Sequence, residues 1–444
     1  MYDTVFTERL GRPAAVLVNE GFGFDARSAA SGKGMPGVRV VAETVPCECT
    51  MPGRITSGVR AAIDDVVAAL TRPLSQEERS PATRRADPTD GVVFKGDLQE
   101  VQRFYYRRGW TDGLPVIPPT EAAVQEMLAG TELPADHLVG RMIPRLGRVT
   151  VRKIAVNAVM AGALPTYLPL LVAGVEALLD PRAAFGTWEV STGSWAPFWI
   201  VNGPIREQLH VESGTGALSP GSIANATIGR AMGLIVKNLG GARKGLEDMG
   251  VLGNPGKYSM VIAENEEANP AGWEPLHVQQ GFRRDESCLT VSFPNTYLQI
   301  WPYGSDDKGI MRAIGANMVP RWRQLTLLVP PGHAQALADG GWTKEEIASY
   351  LYEHARVPAY RTPEFWGVPS IVHRGSRPPL NAEDSVPMLR RPDSLRVVVA
   401  GGPGTFMGLA YGSSGWVTKP VCLPARWESL VRTYRGLVPD YLRY

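Results

Sequence analysis

The first 74 residues combine short apolar runs with one longer segment of helical periodicity. In residues 57–70 apolar positions recur every three or four residues, which predicts an amphipathic helix laid on a sheet and closed by Pro73. Its apolar positions are Val59, Ile63, Val66, Val67 and Leu70. The other predicted elements are strands at 14–18 and 38–42 and helices at 4–10 and 25–32. This order predicts a partial α/β layer of thioredoxin-like or Rossmann-like type.

The predicted layer begins with a helix rather than a strand. Its sheet therefore has an unpaired edge and one incompletely covered face, and proteins normally protect both. We predict that residues 1–74 form a layer that another chain completes by supplying the missing first strand and its loop.

A polar stretch separates this layer from the rest of the chain. Residues 75–91 (SQEERSPATRRADPTDG) hold almost no apolar side chain, which predicts a linker. Residues 92–444 predict a larger mixed α/β domain with a pocket. Its predicted helices cover 98–108, 121–128, 152–160, 167–179, 223–238 and 344–354, and its predicted strands cover 198–201, 258–262, 289–293, 325–329 and 395–400.

Composition narrows the classes of partner. The formal net charge is +2 without a long run of one sign, which argues against nucleic acid or an anionic membrane and favours small molecules or proteins. The most apolar stretch, residues 164–179, is shorter than the ~20 residues that span a bilayer and contains Glu176. Residues 1–16 lack the pattern of a secretory signal, and four cysteines are too few for a disulfide framework. We predict a bacterial cytoplasmic protein with reduced thiols.

Cys47 and Cys49 lie in the loop VPCECTMPG after the second predicted strand. Their one-residue spacing differs from the two-residue spacing of thioredoxin-like and zinc-binding loops, but an extended segment would put both thiols on one face. A catalytic redox or substrate-contact role and an ordinary loop position both stay open. Cys288 and Cys422 stand alone, and we predict that both are buried small hydrophobic residues.

The six histidines are scattered, and none forms the i, i+4 pair of a helical zinc site, so we expect no metal centre. His210 and Glu212 are the most polar neighbours in the chain, and strand-like alternation predicts both on one face ahead of a Gly/Ser loop. They are candidates for a catalytic acid–base pair. A plain loop hydrogen bond is the alternative.

Two glycine-rich loops present backbone N–H groups that suit an anion. Gly240-Gly241 follows Asn238, a candidate substrate-binding residue, and the loop 401–404 follows an apolar strand. Neither loop has the residue order of a dinucleotide or phosphate fingerprint, and a helix C-cap and a tight turn are the simpler explanations. We predict no specific cofactor.

Polar residues of both signs concentrate around the predicted strand at 258–262. Lys257, Glu264 and His277 are candidates for substrate binding there, because α/β proteins build pockets at strand ends. A solvated acidic loop is the alternative. Asp112 is a further candidate, since prolines stiffen its segment GWTDGLPVIPP, although Asp112-Gly113 also suits a simple turn.

Four stretches of the chain resemble one bacterial family. They are GWTDGLPVIPPTEAAV, then GSIANATIGRAMGLIVKNLGGARKG with LGNPGKYSMVIAENEE, and PGVRVVAETVPCECTMPGRITSGVRAAIDDVVAALTRPLSQEE. They resemble the UGSC family, which is named for a Sec/Cys-Gly-Ser-Cys motif. The resemblance implies a thiol-chemistry α/β domain followed by a larger domain.

The chain departs from the family at that motif. The nearest string, residues 412–415 (GSSG), has no thiol, so the family's nucleophile has no counterpart in this sequence. The resemblance implies that the motif lies upstream of the part that matches residues 1–72, where the missing strand belongs. We therefore hypothesise a split enzyme whose small partner subunit carries the reactive Cys or Sec.

Three functions stand as hypotheses. The leading one is a subunit of a thiol- or selenol-dependent enzyme that carries out a redox or covalent transformation of a small organic molecule. The second is a lyase or hydratase that uses acid–base chemistry at a carbon–heteroatom bond. The third is a non-catalytic scaffold for a small catalytic partner.

Overall fold

The computed structural model describes residues 1–45, 51–79, 91–302, 306–319, 324–362, 381–412 and 415–439. The fold is mixed α/β, which confirms the predicted fold class. Every helix and strand predicted above is present, although the ends of several differ.

The α-helices of the described residues are α1 (Tyr2–Arg9), α2 (Gly23–Gly32), α3 (Pro52–Thr71), α4 (Gln76–Arg79), α5 (Leu98–Arg107), α6 (Glu121–Leu128), α7 (Val151–Ala161), α8 (Leu168–Leu179), α9 (Phe185–Trp188), α10 (Ile205–Gln208), α11 (Ile223–Ile235), α12 (Leu276–Gln279), α13 (Asp307–Asn317), α14 (Pro331–Asp339), α15 (Lys344–His354) and α16 (Trp427–Arg435). The strands are β1 (Ala15–Asn19), β2 (Arg39–Glu43), β3 (Leu138–Met142), β4 (Gly147–Thr150), β5 (Phe198–Asn202), β6 (Val261–Ala263), β7 (Cys288–Ser292), β8 (Thr296–Ile300), β9 (Leu325–Val329), β10 (Arg356–Pro358), β11 (Ser385–Pro387), β12 (Leu395–Val399), β13 (Met407–Tyr411) and β14 (Val417–Pro420).

The N-terminal layer is a two-stranded parallel sheet, β1 beside β2, joined by α2 and followed by α3. No third strand joins this sheet within the described residues. The prediction that the apolar stripe of α3 lies on the sheet is wrong. Only Ala62 of α3 is buried, whereas Ile63 is 49% and Val67 51% exposed. The helix rests on the sheet through its small residues and turns its larger apolar side chains outward.

Two four-stranded sheets form the centre of the remaining chain, ordered β14-β7-β5-β6 and β12-β9-β13-β8. One face of the first sheet packs on α7, α8 and α11, and one face of the second packs on α13, α14 and α15. The opposite faces meet each other in a smaller apolar cluster that includes Phe198, Ile200, Leu328 and Val398. The result is a four-layer arrangement of helices, sheet, sheet and helices, and most central strands are apolar on both sides.

In the described part of the chain, no helix is both long enough and apolar enough to cross a membrane. The first residues of the predicted linker form α4, and Glu78 there pairs with Arg39 of β2 at 3.2 Å. Residues 80–90 of that linker lie outside the described residues.

Candidate functional site

A pocket of about 1040 Å³ opens between α11 and the loop of residues 244–258. Its floor includes the buried indole of Trp199 on β5. Concave sites that join aromatic surface to a few converging charges are typical of small-molecule binding. The charged side chains that line this central pocket are Asp112, Glu189, Arg230, Lys237, Lys244, Asp248 and Lys257.

The C-terminal end of α11 shapes one wall. After Ile235 the helix widens into a π-helical turn, Val236–Gly240, which ends at Gly241 in a left-handed conformation. The predicted helix C-cap at this glycine pair is thus confirmed. Isolated π turns are frequent at functional sites because they redirect side chains.

Two side chains of the π turn hold the segment that carries Asp112. The Lys237 ammonium donates to the carbonyl oxygen of Gly109, and the Asn238 amide donates to the carbonyl of Trp110 at 3.0 Å. The same amide donates to Asn157 Oδ1 at 2.8 Å. The structure therefore places Asn238 behind the pocket wall, where it fixes the position of the Asp112 loop.

Asp112 faces the pocket in a bidentate ion pair with Arg230. The Arg230 Nε and Nη2 atoms donate to its two carboxylate oxygens at 2.8 and 3.0 Å. Burial alone would raise the pKa of Asp112, but the Arg230 hydrogen bonds and charge outweigh it, so the pKa lies below its usual value. Asp112 is consequently ionised at neutral pH, and the Leu114 N–H of the following turn donates to its carboxylate at 3.1 Å.

Glu189 is the least compensated acid in the pocket. It caps the short helix α9, its N–H donates to the carbonyl of Phe185 at 2.9 Å, and its side chain is only 7% exposed. Within the described residues its carboxylate accepts no hydrogen bond. The nearest cation, Lys257 Nζ, lies 4.0 Å away and is held by Asp248 at 2.6 Å.

This placement shifts the protonation of Glu189. Burial raises its pKa to about 7, the Lys257 charge partly opposes the rise, and Asp248 adds to it. A carboxyl group with a pKa near neutrality can both accept and donate a proton, as a general acid–base catalyst requires.

Two other predicted residues, Glu264 and His277, lie away from this pocket at the join between the two sheets. Both are fully buried. Glu264 accepts from Lys344 Nζ at 2.8 Å, from Asn202 Nδ2 at 2.8 Å and from Leu276 N–H at 2.7 Å. The His277 ring follows on α12, with Nδ1 3.8 Å from a carboxylate oxygen of Glu266. The structure thus separates Glu264 and His277 from Lys257, which the sequence had grouped with them.

The predicted strand geometry of His210 and Glu212 is wrong. His210 has a φ of 51°, in the left-handed region, and no strand covers residues 210–212. His210 Nε2 accepts from Arg435 Nε at 2.9 Å, whereas a carboxylate oxygen of Glu212 accepts from Gly214 N–H at 2.7 Å. The left-handed turn after α10 breaks the alternation that would have placed the two side chains on one face.

Comparison with known proteins gives one match. A family model, that of the UGSC family, matches residues 1–72. The N-terminal part of the chain is thus similar to the UGSC family, and the match covers about one sixth of the chain. No curated protein and no solved structure matches the chain significantly. The UGSC match ends before the linker, so the residues that line the central pocket lie outside it.

The four cysteines differ in position and environment. Cys47 and Cys49 fall inside the UGSC match but outside the described residues. Cys288 is buried as predicted, and burial, helped by Glu286 and Glu266, raises its pKa to about 12. Cys422 is exposed, so the prediction that it is buried is wrong. In the described ranges no cysteine lines the central pocket, and no group of three or more His, Cys, Asp or Glu side chains could hold a metal ion.

Sequence reasoning missed Glu189 and Arg230, and the UGSC match does not reach either. Arg230 sits in the middle of an apolar helix and pairs with a residue 118 positions away. Glu189 follows Trp188 in a segment without a motif, and its importance arises from burial. A charged residue inside an otherwise apolar helical stripe was the one signal that could have pointed to Arg230.

Proposed function

We propose that this chain is an enzyme, or the main subunit of one, that carries out acid–base chemistry on a small organic molecule in the central pocket. A lyase or hydratase reaction at a carbon–heteroatom bond fits the pocket best. The proposal rests on the buried Glu189 carboxyl, which has no hydrogen-bond partner in the described chain and borders a pocket of about 1040 Å³.

In the elimination direction Glu189 would take a proton from a carbon beside a carbonyl or carboxylate group. The C–H electron pair would form the carbon–carbon double bond as the neighbouring C–O bond breaks. Glu189 would pass its proton to the departing hydroxyl, which leaves as water, and the hydration reverses each step. Lys257, which Asp248 holds at 2.6 Å, would stabilise negative charge developing on the substrate oxygen.

Proton exchange tests this role with model substrates in place of the natural one. A panel of small hydroxy acids would be incubated with the protein in D₂O, and ¹H NMR would follow loss of the C–H signal and formation of alkene. We expect Glu189→Gln to slow exchange by at least about 100-fold, because general acid–base catalysis contributes roughly 10²–10⁴-fold. Glu274→Gln, at an exposed carboxylate paired with Arg284, is the matched control and should exchange at the wild-type rate. Full activity in Glu189→Gln would refute the proposal.

A thiol- or selenol-dependent redox or covalent reaction is the second candidate, and the UGSC match over residues 1–72 favours it. In this version a small partner subunit supplies the reactive Cys or Sec, and the two-stranded sheet β1–β2 is where its strand would pair. Co-expression with a neighbouring short reading frame and size-exclusion chromatography would test it. A stable complex whose small member carries a Cys-Gly-Ser-Cys-like motif would support the candidate, and a chain that elutes alone would count against it. Both candidates assume a cytoplasmic location, which the low cysteine content favours.

A further inference from the structure

The charges of the central pocket do not cancel. Asp112 is paired with Arg230, and Asp248 is paired with Lys257. Lys237 and Lys244 also line the pocket, and neither has a carboxylate within 4.0 Å among the described residues. Glu189 is the one lining acid without a close partner in that part of the chain, and its single charge cannot offset the charges of both Lys237 and Lys244. The pocket is therefore cationic.

Two of these cations, Arg230 and Lys237, lie on the same side of α11 and its π turn. Arg230 and Lys237 are seven residues apart along α11 and its π turn, which places them on the same side of the helix about two turns apart. Both interact with Asp112, Arg230 by the ion pair and Lys237 through its charge. They form a cationic pair that carries one positive charge in excess of Asp112.

Each member of this pair keeps unused donors. An ammonium group has three N–H donors, and within the described residues Lys237 gives one to the Gly109 carbonyl. Arg230 uses Nε and Nη2 for Asp112 and Pro115, and its Nη1 donates to none of the described residues. Unused N–H donors of guanidinium and ammonium groups in a partly buried site suit a carboxylate.

The organic part of a ligand would meet apolar surface. Trp199, Met232 and Val236 line the same pocket. Resting on the function proposed above, we infer that the substrate is an organic carboxylate, held by Arg230 and Lys237 through its carboxylate with its hydrocarbon part against Trp199.

Calorimetric titration with benzoate and benzamide tests this inference, because the two probes share size and shape but only benzoate is charged. Benzoate should bind at least about tenfold more tightly than benzamide at low salt, and added salt should weaken it. Lys237→Gln keeps an N–H donor but removes the charge, and it should weaken benzoate about tenfold or more. Lys237→Arg should restore binding, and Lys308→Met at an exposed position of α13 should leave it unchanged.

Equal binding of the two probes, no benzoate binding up to about 10 mM, or full binding by Lys237→Gln would overturn the inference. Glu189→Gln separates it from the proposed function. That variant should bind benzoate at least as tightly as wild type, because it removes an acid from the pocket. If it binds benzoate but also keeps full proton exchange, the carboxylate site stands and the proposed role of Glu189 fails. If benzoate does not bind while Glu189→Gln abolishes exchange, the proposed function stands and the carboxylate site fails.

Discussion

Two glutamates in this molecule, Glu264 and Glu189, are buried to nearly the same extent, but their pKa values shift in opposite directions. Glu264 is fully buried and accepts hydrogen bonds from Lys344, Asn202 and the Leu276 N–H. Glu189 is 7% exposed, accepts none from the described residues, and has Lys257 at 4.0 Å. Burial works to raise both pKa values, but in Glu264 the Lys344 charge and the hydrogen bonds outweigh it, so its pKa is lowered. In Glu189 burial prevails and the pKa rises to about 7.

The two pKa values shift in opposite directions because Lys344 binds Glu264 directly, whereas Lys257 is paired with Asp248 rather than with Glu189. Lys344 is the first residue of α15, and it brings its ammonium from the outer helices of the second sheet to Glu264 after the end of β6 in the first. This pair joins the two sheets and is fully compensated. Lys257 Nζ lies 2.6 Å from the Asp248 carboxylate but 4.0 Å from that of Glu189. Its charge therefore stabilises the ionised form of Glu189 only weakly. A buried acid becomes available for chemistry when its neighbours leave it uncompensated.

Breaking the ion pair between Lys344 and Glu264 should change the free energy of unfolding more than any of the substitutions that follow. Lys344→Met leaves the Glu264 charge buried without its counter-ion, and we expect a loss of about 3–5 kcal/mol in the free energy of unfolding. Urea denaturation followed by tryptophan fluorescence measures it.

Lys419→Met is the control, because Lys419 pairs with Asp180 at 2.8 Å but is 25% exposed, and it should cost about 1 kcal/mol or less. Adding Glu264→Gln to Lys344→Met should recover part of the loss, since the unpaired charge is then gone. A Lys344→Met protein as stable as the Lys419→Met protein would contradict the assignment of this pair as the joint between the sheets.

Replacing Glu189, the uncompensated acid, should stabilise the protein rather than destabilise it. The folded-state pKa of Glu189 is raised from 4.5 to about 7, so the folded protein binds its proton more tightly and loses stability as pH rises through this window. Glu189→Gln removes the ionised form and should stabilise the protein by roughly 3 kcal/mol at pH 8 and hardly at all at pH 4.5.

Thermal denaturation from pH 4.5 to 8 of wild type and Glu189→Gln gives this difference directly. Glu264→Gln serves as the reference, because an acid with a lowered pKa contributes stability above its usual pKa, so its replacement should destabilise at pH 8. A Glu189→Gln protein that is less stable than wild type at pH 8 would show that the carboxylate is compensated after all.

Lys257→Met should shift the Glu189 titration itself. The Lys257 charge lowers the pKa of Glu189 and the Asp248 charge raises it, so removing Lys257 should move the pKa above about 7. The loss of the ion pair with Asp248, whose side chains are 22% and 19% exposed, should cost about 1 kcal/mol. A ¹³C NMR titration of labelled glutamate carboxyl groups measures the pKa.

Lys244→Met is the matched control for that titration, since Lys244 lines the same pocket but lies outside the Glu189 cluster. It should leave the Glu189 titration where it is. If Lys257→Met leaves the midpoint unchanged or lowers it, Lys257 is not the group that opposes burial at Glu189.

Hydrophobic pattern predicted much of the fold because its central strands are apolar on both faces. All five residues of β5 and of β9 are buried, and four of the five in each strand are apolar, so both stand out between turns. Strands with fewer apolar residues, such as β8 and β14, and one-turn helices such as α9 give no comparable signal. The apolar stripe of α3 faces outward, because periodicity identifies the apolar face of a helix but not the surface that covers it.

The candidate site was only partly predictable. Asp112 and Lys257 were found because polar groups beside rigid turns and strand ends are visible in the sequence. Glu189 and Arg230 were missed because their roles depend on burial and on partners distant in the chain, which only tertiary structure supplies. The predicted strand geometry of His210 and Glu212 was wrong because it assumed alternation through His210, which takes a left-handed conformation that no sequence signal marked.

A half-buried acid should show a smaller version of the Glu189 effect. Asp25 of α2 lies beside Glu247, which accepts from Ser28 Oγ at 2.5 Å where the N-terminal layer meets the larger part of the chain. Burial, and then the Glu247 charge, raise the pKa of Asp25 from 3.8 to about 6, so its ionisation costs stability as pH rises through that window. After discounting for solvent screening, Asp25→Asn should stabilise the protein by no more than about 1 kcal/mol at pH 8 and not at all at pH 3.5.

Thermal denaturation at pH 8 and pH 3.5 checks this prediction, with Asp65→Asn on the exposed side of α3 as control. If Asp25→Asn stabilises as strongly as Glu189→Gln, then repulsion between neighbouring acids rather than depth of burial sets these shifts, and the contrast between Glu189 and Glu264 needs a different cause.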